Sequence, residues 1–317
     1  MSPLSKRILV CLLVFASLTR AAAAQTTLSY ADLVQRLTDL SHLAVLPLPG
    51  ERCAQWSSYQ RTSQYDPATG KYANWSANGD GQGIIRTEGD LSVLAEMDGP
   101  GCIWRIWSAR AEQGRVKIYL DGAQTPVVDM PFCDYFDGQH APFNYPALSY
   151  NLKDQGSRGQ NLYLPIPYQK SCKIVAEKGW GAYYHFTYGT FPAGTQVPTF
   201  TAKLADCEAL RKTNTFLADR LGTDPAGSRP GQETLSTIVR VRPGQMSPVV
   251  TLPGPQAITA IRVNASFADR DNEMAALRQL AIRITWDDDS SPDVWCPLGD
   301  LFGTAPGRTT TTPCPRS

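Results

Sequence analysis

Hydrophobic and polar residues alternate along short segments in the middle of the chain, which is the pattern of β-strands with one buried face. Turn-forming sequences such as Asp98–Gly101, Asp121–Gly122 and Lys178–Gly179 separate these segments. The pattern therefore predicts an all-β fold. The predicted strands cover residues 92–97, 102–109, 116–120, 161–166, 172–177 and 183–188.

Two segments outside these strands have helical spacing instead. Apolar residues recur every three or four positions between Ser29 and Leu43, with Ser29 as a candidate N-cap, and leucines recur in the same way between Thr201 and Leu221. Residues 45–90 carry many turn formers and aromatic residues without a helical period. The sequence thus predicts two short helices with a long structured loop region between the first helix and the strands.

An internal repeat is the most informative feature of the chain. Six residues of the first copy recur at a constant offset of 166 residues, and Gly99–Pro100 recurs upstream as Gly254–Pro255 at an offset of 155. The repeat predicts two copies of one β unit, of which the second lacks its latter half. The six pairs are Ile118 and Ile284, Asp121 and Asp287, Pro126 and Pro292, Pro131 and Pro297, Asp134 and Asp300, and Phe136 and Phe302.

These patterns give a predicted domain organisation. It consists of a signal peptide at 1–24, an N-terminal helix at 25–44, a first β domain with its loop region and closing helix at 45–221, a linker at 222–231, the first half of a second β domain at 232–307, and an aberrant or disordered tail at 308–317.

The N-terminus has the three parts of a secretory signal peptide. Lys6 and Arg7 precede an apolar run at 8–18, and alanines at 22–24 supply the small residues of a cleavage site. The run is too short to span a bilayer, so we expect a secreted or periplasmic protein without a membrane anchor. The whole chain has 30 basic and 29 acidic residues, a balance that argues against nucleic acid as a partner.

Other candidate chemistry in the sequence is weak. The seven cysteines after the signal have no metal-binding spacing, and we expect most of them to be isolated, buried, small apolar side chains whose disulfide pairing the sequence does not define. Glu88, Glu96 and their acidic neighbours alternate as on a solvated strand face, and Asp287–Asp289 matches the hairpin turn of its repeat partner better than a calcium loop. We therefore assign no metal and no cofactor.

Several ordered motifs resemble the domain of unknown function 2961, now glycoside hydrolase family 172. The motifs are Ser57–Tyr59, Asn78–Gly81, Val93–Gly101, Ile118–Gly122, Asn161–Tyr168 and Pro297–Gly303, within residues 43–307. The resemblance implies tandem jelly-roll β-sandwich domains with a few short helices, of which the second jelly roll is incomplete in this C-terminally truncated member. It also implies homo-oligomers, either trimers or hexamers, for the intact protein.

The resemblance implies a retaining furanosidase that acts on α-D-fructofuranosides or D-arabinofuranosides. Retention requires two carboxyl groups close together, one as nucleophile and one as acid/base. In the family these are two Glu residues in Gly-Glu-Gly-Asp and Gly-Thr-Glu-Asp-Tyr-Phe motifs, and neither motif occurs in this sequence. We therefore assign no catalytic residue and expect a catalytically incomplete chain.

The resemblance places a sugar-binding pocket beside the N-terminal loop. Asn78 and Asp80 could hydrogen-bond vicinal hydroxyls there, and Trp56, Tyr59 and Trp75 could stack on sugar rings. Asn78–Gly81 is equally a common turn sequence, so both interpretations stay open. Gln60 replaces an acid that is frequent in the family.

Two functional hypotheses follow. The first is an exported glycoside hydrolase of the furanosidase type whose partner is an oligo- or polysaccharide with furanose units. The second is a non-catalytic carbohydrate-binding or capsid-like assembly protein with the same fold.

Overall fold

The computed structural model describes residues 26–75, 79–153, 158–220 and 227–303. Two antiparallel sheets face each other in the first part of the chain, and their inward side chains form one core. The predicted all-β fold is confirmed. None of the helices in the described ranges is long and apolar enough to cross a membrane.

The first sheet has six strands in the order β1–β13–β6–β10–β9, with β11 also paired to β6. Residues Ile106 on β6 and Phe186 on β13 are opposite each other and buried, while Trp107 and His185 form the next, outward-facing pair. This alternation is the sequence pattern that predicts the strands. The strands are β1 (Arg52–Ser57), β6 (Gly101–Ala111), β9 (Ser149–Asn151), β10 (Gln160–Leu162), β11 (Ile166–Tyr168) and β13 (Gly181–Thr190).

The second sheet has five strands in the order β4–β5–β12–β7–β8. Two hydrogen bonds cross the core between the sheets: Trp56 Nε1 donates to the carbonyl of Glu96 at 2.8 Å, and the Tyr184 hydroxyl lies 2.9 Å from the carbonyl of Leu94. They fix the two sheets relative to each other. The strands are β4 (Arg86–Glu88), β5 (Leu91–Asp98), β7 (Arg115–Leu120), β8 (Val128–Pro131) and β12 (Ser171–Ala176).

The region from 45 to 90 differs from the predicted loop, because four of its segments form strands. β1 and β4 are edge strands of the two main sheets, and β2 (Gln64–Asp66) and β3 (Lys71–Ala73) form a separate hairpin. An edge strand pairs with a neighbour on one side only and is less buried than a central strand. Its apolar and polar residues therefore alternate less clearly. β1 has mostly exposed side chains despite its full pairing with β13.

Both predicted helices form, but each is shorter than its sequence pattern. α1 (Tyr30–Gln35) begins after Ser29, whose side chain accepts from the backbone N–H of Asp32 while the Asp32 carboxylate accepts from the N–H of Ser29. This reciprocal capping box confirms the predicted N-cap. The second pattern divides into α2 (Ala202–Ala205) and α3 (Glu208–Asp219), and Leu221 lies outside the described residues.

The sequence repeat is reproduced in local structure. β14 (Ala281–Ile284) and β15 (Val294–Pro297) form a hairpin at the same offset from β7 and β8, with Asp121 and Asp287 both left-handed at φ 55° and 49°. A short α5 (Leu298–Leu301) follows β15 where a 3₁₀ helix follows β8. The Asp287 segment is thus a hairpin turn, as the repeat predicts.

The upstream part of the second copy differs from the first. Ile258 and Ile261 are 38% and 39% exposed, whereas their counterparts Ile103 and Ile106 on β6 are buried. Residues 232–268 contain no strand, and α4 (Arg270–Gln279) precedes the hairpin. In the first copy, neighbouring strands hold β6 in place. The described residues of the second copy include no counterpart of those neighbours. Because a strand without pairing partners is not stable, the corresponding segment forms no strand.

Candidate functional site

The chain leaves β1 into a loop that returns to its starting point, where hydrogen bonds close it. The backbone N–H of Gln60 donates to Oδ1 of Asp80 at 2.6 Å, and the backbone N–H of Gly79 donates to Oε1 of Gln60 at 2.8 Å. We call this arrangement the loop base, comprising residues 58–61 and 79–83. It holds the two ends of the β2–β3 hairpin segment together.

Two glycines allow the loop base to pack this closely. The N–H groups of Gly81 and Gly83 donate to the carbonyl of Ser58 at 2.8 and 3.2 Å. A Cβ atom on Gly83 would lie 1.9 Å from the carbonyl oxygen of Tyr59, and Gly81 has a φ of 97° with the Tyr183 ring against it. A larger residue at either position would force the two sides of the loop base apart.

Arg61 connects the loop base to the sandwich core. Its guanidinium lies 4.1 Å from the ring centre of Tyr59 and 5.7 Å from that of Trp56, which is cation–π geometry. Nη2 donates to the carbonyl of Ser57 at 2.8 Å and to the Tyr184 hydroxyl at 3.2 Å. Nη1 is buried and has no hydrogen-bond partner among the described residues. Arg61 thereby fixes the orientation of the two aromatic rings.

The structure places the sequence-predicted site residues in two groups. Asp80 and Tyr59 lie in the loop base, both exposed, and Trp56 lies behind them, partly buried against the core with its indole N–H donating to Glu96. Trp75 is 70% exposed and belongs to the hairpin instead. Asn78 lies outside the described residues.

The hairpin carries a row of aromatic side chains. Tyr65 on β2 and Tyr72 on β3 are direct cross-strand partners, and their ring centres are 5.3 Å apart. The ring of Trp75 lies 5.4 Å from that of Tyr72. Sequence reasoning singles out Trp75 alone. A signal for the two tyrosines exists, because they flank an Asp-Pro-Ala-Thr-Gly turn at positions that face each other in a hairpin.

Sequence reasoning also misses the roles of Gln60 and Arg61. Gln60 contributes both a backbone donor and a side-chain acceptor to the loop base, and Arg61 contacts both predicted stacking rings. The Gln60 contacts join opposite sides of the loop and leave no signal in the sequence. Arg61 follows Tyr59 and Trp56 closely in the chain, so a local signal for its cation–π contacts does exist.

A groove of about 690 Å³ lies on the outer face of the five-stranded sheet. Arg86 there bridges the carboxylates of Glu88 and Glu96, each at 2.6 Å, and Lys173 lies 2.5 Å from Glu88. The Lys173 and Arg86 contacts lower the pKa of Glu88, and the Arg86 contact lowers that of Glu96. Both stay ionised at neutral pH, whereas a glycosidase acid needs a raised pKa. This pair is therefore an ion-pair cluster rather than an acid/base pair.

Among the described residues, Asp134, Asp137 and His140 bring potential metal ligands together, with ligand atoms within 4.8 Å of one another. Existing contacts already use these groups. Nδ1 of His140 lies 2.6 Å from Oδ2 of Asp137, and the thiol of Cys133 donates to Asp134 at 3.2 Å. His140 and Asp137 thus form a local side-chain pair, and nothing further about the cluster indicates a bound ion.

The chain matches two family models. Residues 49–208 match the model described as the GH172 first beta-sandwich domain, and residues 231–313 match the model described as GH172 domain-like. The first match alone covers half of the chain and includes both sheets, the loop base and the hairpin. A search of curated proteins gave no match.

Proposed function

Because this chain belongs to glycoside hydrolase family 172, we propose that it is an exported carbohydrate-active protein that recognises furanosyl sugars at the loop base and its hairpin. Family membership supports a carbohydrate as the partner. The choice of α-D-fructofuranosides or D-arabinofuranosides rests on the resemblance of the sequence motifs, and export rests on the N-terminal signal pattern.

The loop base is the observation that carries the proposal. Sugar recognition combines hydrogen-bonding groups for hydroxyls with an aromatic face for the C–H side of the ring. The loop base presents the exposed carboxylate of Asp80 near Tyr59, whose ring Arg61 holds at 4.1 Å. Hydrogen bonds from Gln60 and to Ser58 fix these groups before a ligand arrives, which lowers the entropic cost of binding.

Hydrolysis requires chemical groups that sugar binding does not. A retaining mechanism needs a nucleophilic carboxylate and a proton donor on either side of the glycosidic bond. Glu88 and Glu96 are ionised and paired with Arg86, so they do not supply a proton donor. Neither family Glu motif occurs in the 317 residues. We propose that this chain binds furanosides without cleaving them.

The test measures binding and cleavage on the same protein. Isothermal titration of the purified chain with arabinan and inulin-type oligosaccharides should show binding of one of them, and chromatography should show no release of sugar. Asp80→Ala should weaken binding, and Asp98→Asn, on the exposed end of β5, serves as the control. Sugar release that a Glu88→Gln or Glu96→Gln change abolishes would overturn the binding-only proposal. Absence of binding to every furanoside would overturn recognition itself.

The resemblance also leads us to propose a homo-oligomer, either a trimer or a hexamer. A mass measurement by light scattering tests this independently of sugar binding. An oligomer that binds no carbohydrate would instead support the capsid-like assembly protein.

A further inference from the structure

The β2–β3 hairpin exposes three large aromatic side chains in a continuous row. Tyr65, Tyr72 and Trp75 are 56%, 55% and 70% exposed, and consecutive ring centres lie 5.3 and 5.4 Å apart. We call these three residues the aromatic strip. Single exposed aromatic residues are common on protein surfaces, but a contiguous row marks an interaction site.

The charged residues of the two hairpin strands, Asp66 and Lys71, are direct cross-strand partners, and because successive side chains alternate they lie on the face opposite Tyr65 and Tyr72. The carboxylate of Asp66 accepts hydrogen bonds from the backbone N–H of Ala68 at 2.9 Å and from the hydroxyl of Thr69 at 2.8 Å. Both hydrogen bonds lower the pKa of Asp66, and the bond from the Thr69 hydroxyl has the larger effect. Its charge is therefore held within the turn. The strip consequently offers apolar ring faces with hydroxyl and indole N–H edges, which suits a neutral polyhydroxylated ligand.

The geometry of the strip indicates a ligand longer than one sugar. The Tyr72 ring contacts both the Tyr65 and the Trp75 rings, so the three form one continuous aromatic surface that a chain of sugar residues can contact at more than one point. Consecutive ring planes are inclined by 57° and 60°. A flat ligand could not lie on all three rings, whereas a twisted polysaccharide chain can follow them.

The hairpin is also connected to the loop base. Gln60 and Asp80 join the two ends of the segment that carries the strip. From this arrangement and the proposed function, on which this inference rests, we propose that the aromatic strip binds successive sugar residues of a furanose-containing polysaccharide and extends the recognition site beyond the loop base. The partner class is thus a polymer rather than a mono- or disaccharide.

The test compares sugars of increasing length. Affinity electrophoresis in gels containing arabinan or inulin, with titration of short oligosaccharides, should show that wild-type affinity rises with chain length. Tyr72→Ala and Trp75→Ala should each weaken binding of the polymer by about 2- to 12-fold, the range expected for loss of one aromatic contact. Binding of the shortest ligand should not change. Trp75→Phe should retain most of the affinity, because it keeps a ring face.

Trp295→Ala is the matched control, since Trp295 is 75% exposed but lies on β15 of the second repeat copy. It should bind the polymer like the wild type. If wild-type chain binds oligosaccharides and the strip variants bind the polymer equally well, the aromatic strip inference fails while the proposed function stands. If Trp75→Ala changes only the mass measured by light scattering, the strip contacts a second copy of the chain and the inference is also overturned. Loss of all sugar binding by the wild type would overturn the proposed function first.

Discussion

The backbone N–H of Gln60 donates a 2.6 Å hydrogen bond to Oδ1 of Asp80, across the ends of the hairpin segment. Asp80→Ala removes the acceptor, so we expect a loss of about 1 kcal/mol of local stability. Asp80→Asn keeps an oxygen acceptor and should preserve the closed loop. Limited proteolysis between residues 61 and 78 measures the difference. Equal cleavage of the two variants would show that this hydrogen bond does not hold the loop closed.

Gly83 is the position in the loop base that least tolerates a side chain. Its Cβ atom would lie 1.9 Å from the backbone oxygen of Tyr59, whereas a Cβ atom on Gly79 would meet the flexible side chain of Gln60 at 2.8 Å. Gly83→Ala should therefore lower the free energy of unfolding by more than Gly79→Ala does, by roughly 1–3 kcal/mol. Urea denaturation of both variants gives the comparison. A smaller effect at Gly83 than at Gly79 would contradict the close approach of the Tyr59 backbone.

Tyr184 places a hydroxyl between the carbonyl groups of Gly83 and Leu94, of which the second is buried. The hydroxyl lies 2.9 Å from the carbonyls of Gly83 and Leu94, donates to one of them, and accepts from Arg61 at 3.2 Å. Tyr184→Phe leaves these groups without that partner, which should cost about 1–3 kcal/mol in urea unfolding. The neighbouring Tyr183 is 42% exposed, so Tyr183→Phe is the matched control and should have little effect. Similar stability losses in the two variants would argue against the buried network.

Asp121 links its hairpin turn to the segment around β11 and β12. Its carboxylate accepts from the N–H groups of Gln169, Lys170 and Ser171 at 3.2, 2.6 and 3.1 Å and from the hydroxyl of Thr199. Burial raises the pKa of Asp121, but these hydrogen bonds together outweigh it, so that the pKa lies below its ordinary value.

A lowered pKa in the folded state stabilises the protein above the unfolded-state pKa of about 3.9, and this stabilisation is lost as the pH falls through the folded-state value. Asp121→Asn keeps a residue that tolerates the left-handed φ of 55° but removes the charge. It should lower stability by about 1–3 kcal/mol at pH 7. Thermal melts should show the gap to wild type narrowing toward pH 3. A gap independent of pH would show that the charge contributes nothing, and Asp98→Asn should leave the melts unchanged.

The cysteines should differ strongly in reactivity. Cys53 is exposed, while Cys102 and Cys172 are buried, and burial raises the pKa of both buried thiols. A maleimide at about pH 7.5, followed by mass spectrometry, should label Cys53 in the folded protein and label Cys102 and Cys172 only in denaturant, because the thiolate is the reactive form. Cys53→Ser provides the reference. Rapid labelling of Cys102 without denaturant would contradict the closed core.

The burial of the described cysteines differs from the sequence-based prediction. Cys53, Cys102, Cys133, Cys172, Cys207 and Cys296 are all free thiols, but only Cys102 and Cys172 are buried, whereas the sequence predicts burial for most of them. Apolar character predicts a preference for burial, but the position of each residue on its strand decides the outcome. Cys53 lies on edge strand β1, in a stretch of four residues that are all exposed.

Central strands and turns could be predicted because both leave local signals. Val116 and Ile118 follow the alternation of a half-buried strand, and Asp121 begins a turn whose left-handed backbone recurs at Asp287. Edge strand β1 and the contact between Gln60 and Asp80 could not be predicted in this way. They depend on which distant segments pair, and residues within a short window carry no record of such pairing.

The loop base makes the segment between its two sides replaceable. The contact between Gln60 and Asp80 brings the two ends of the intervening segment together whatever lies between them, and lengthening a loop with fixed ends costs little free energy. Residues 62–78 therefore form an exchangeable cassette. A different hairpin could be grafted between the same two anchor points while both sheets of the sandwich keep their cores, so that ligand preference could change independently of the scaffold.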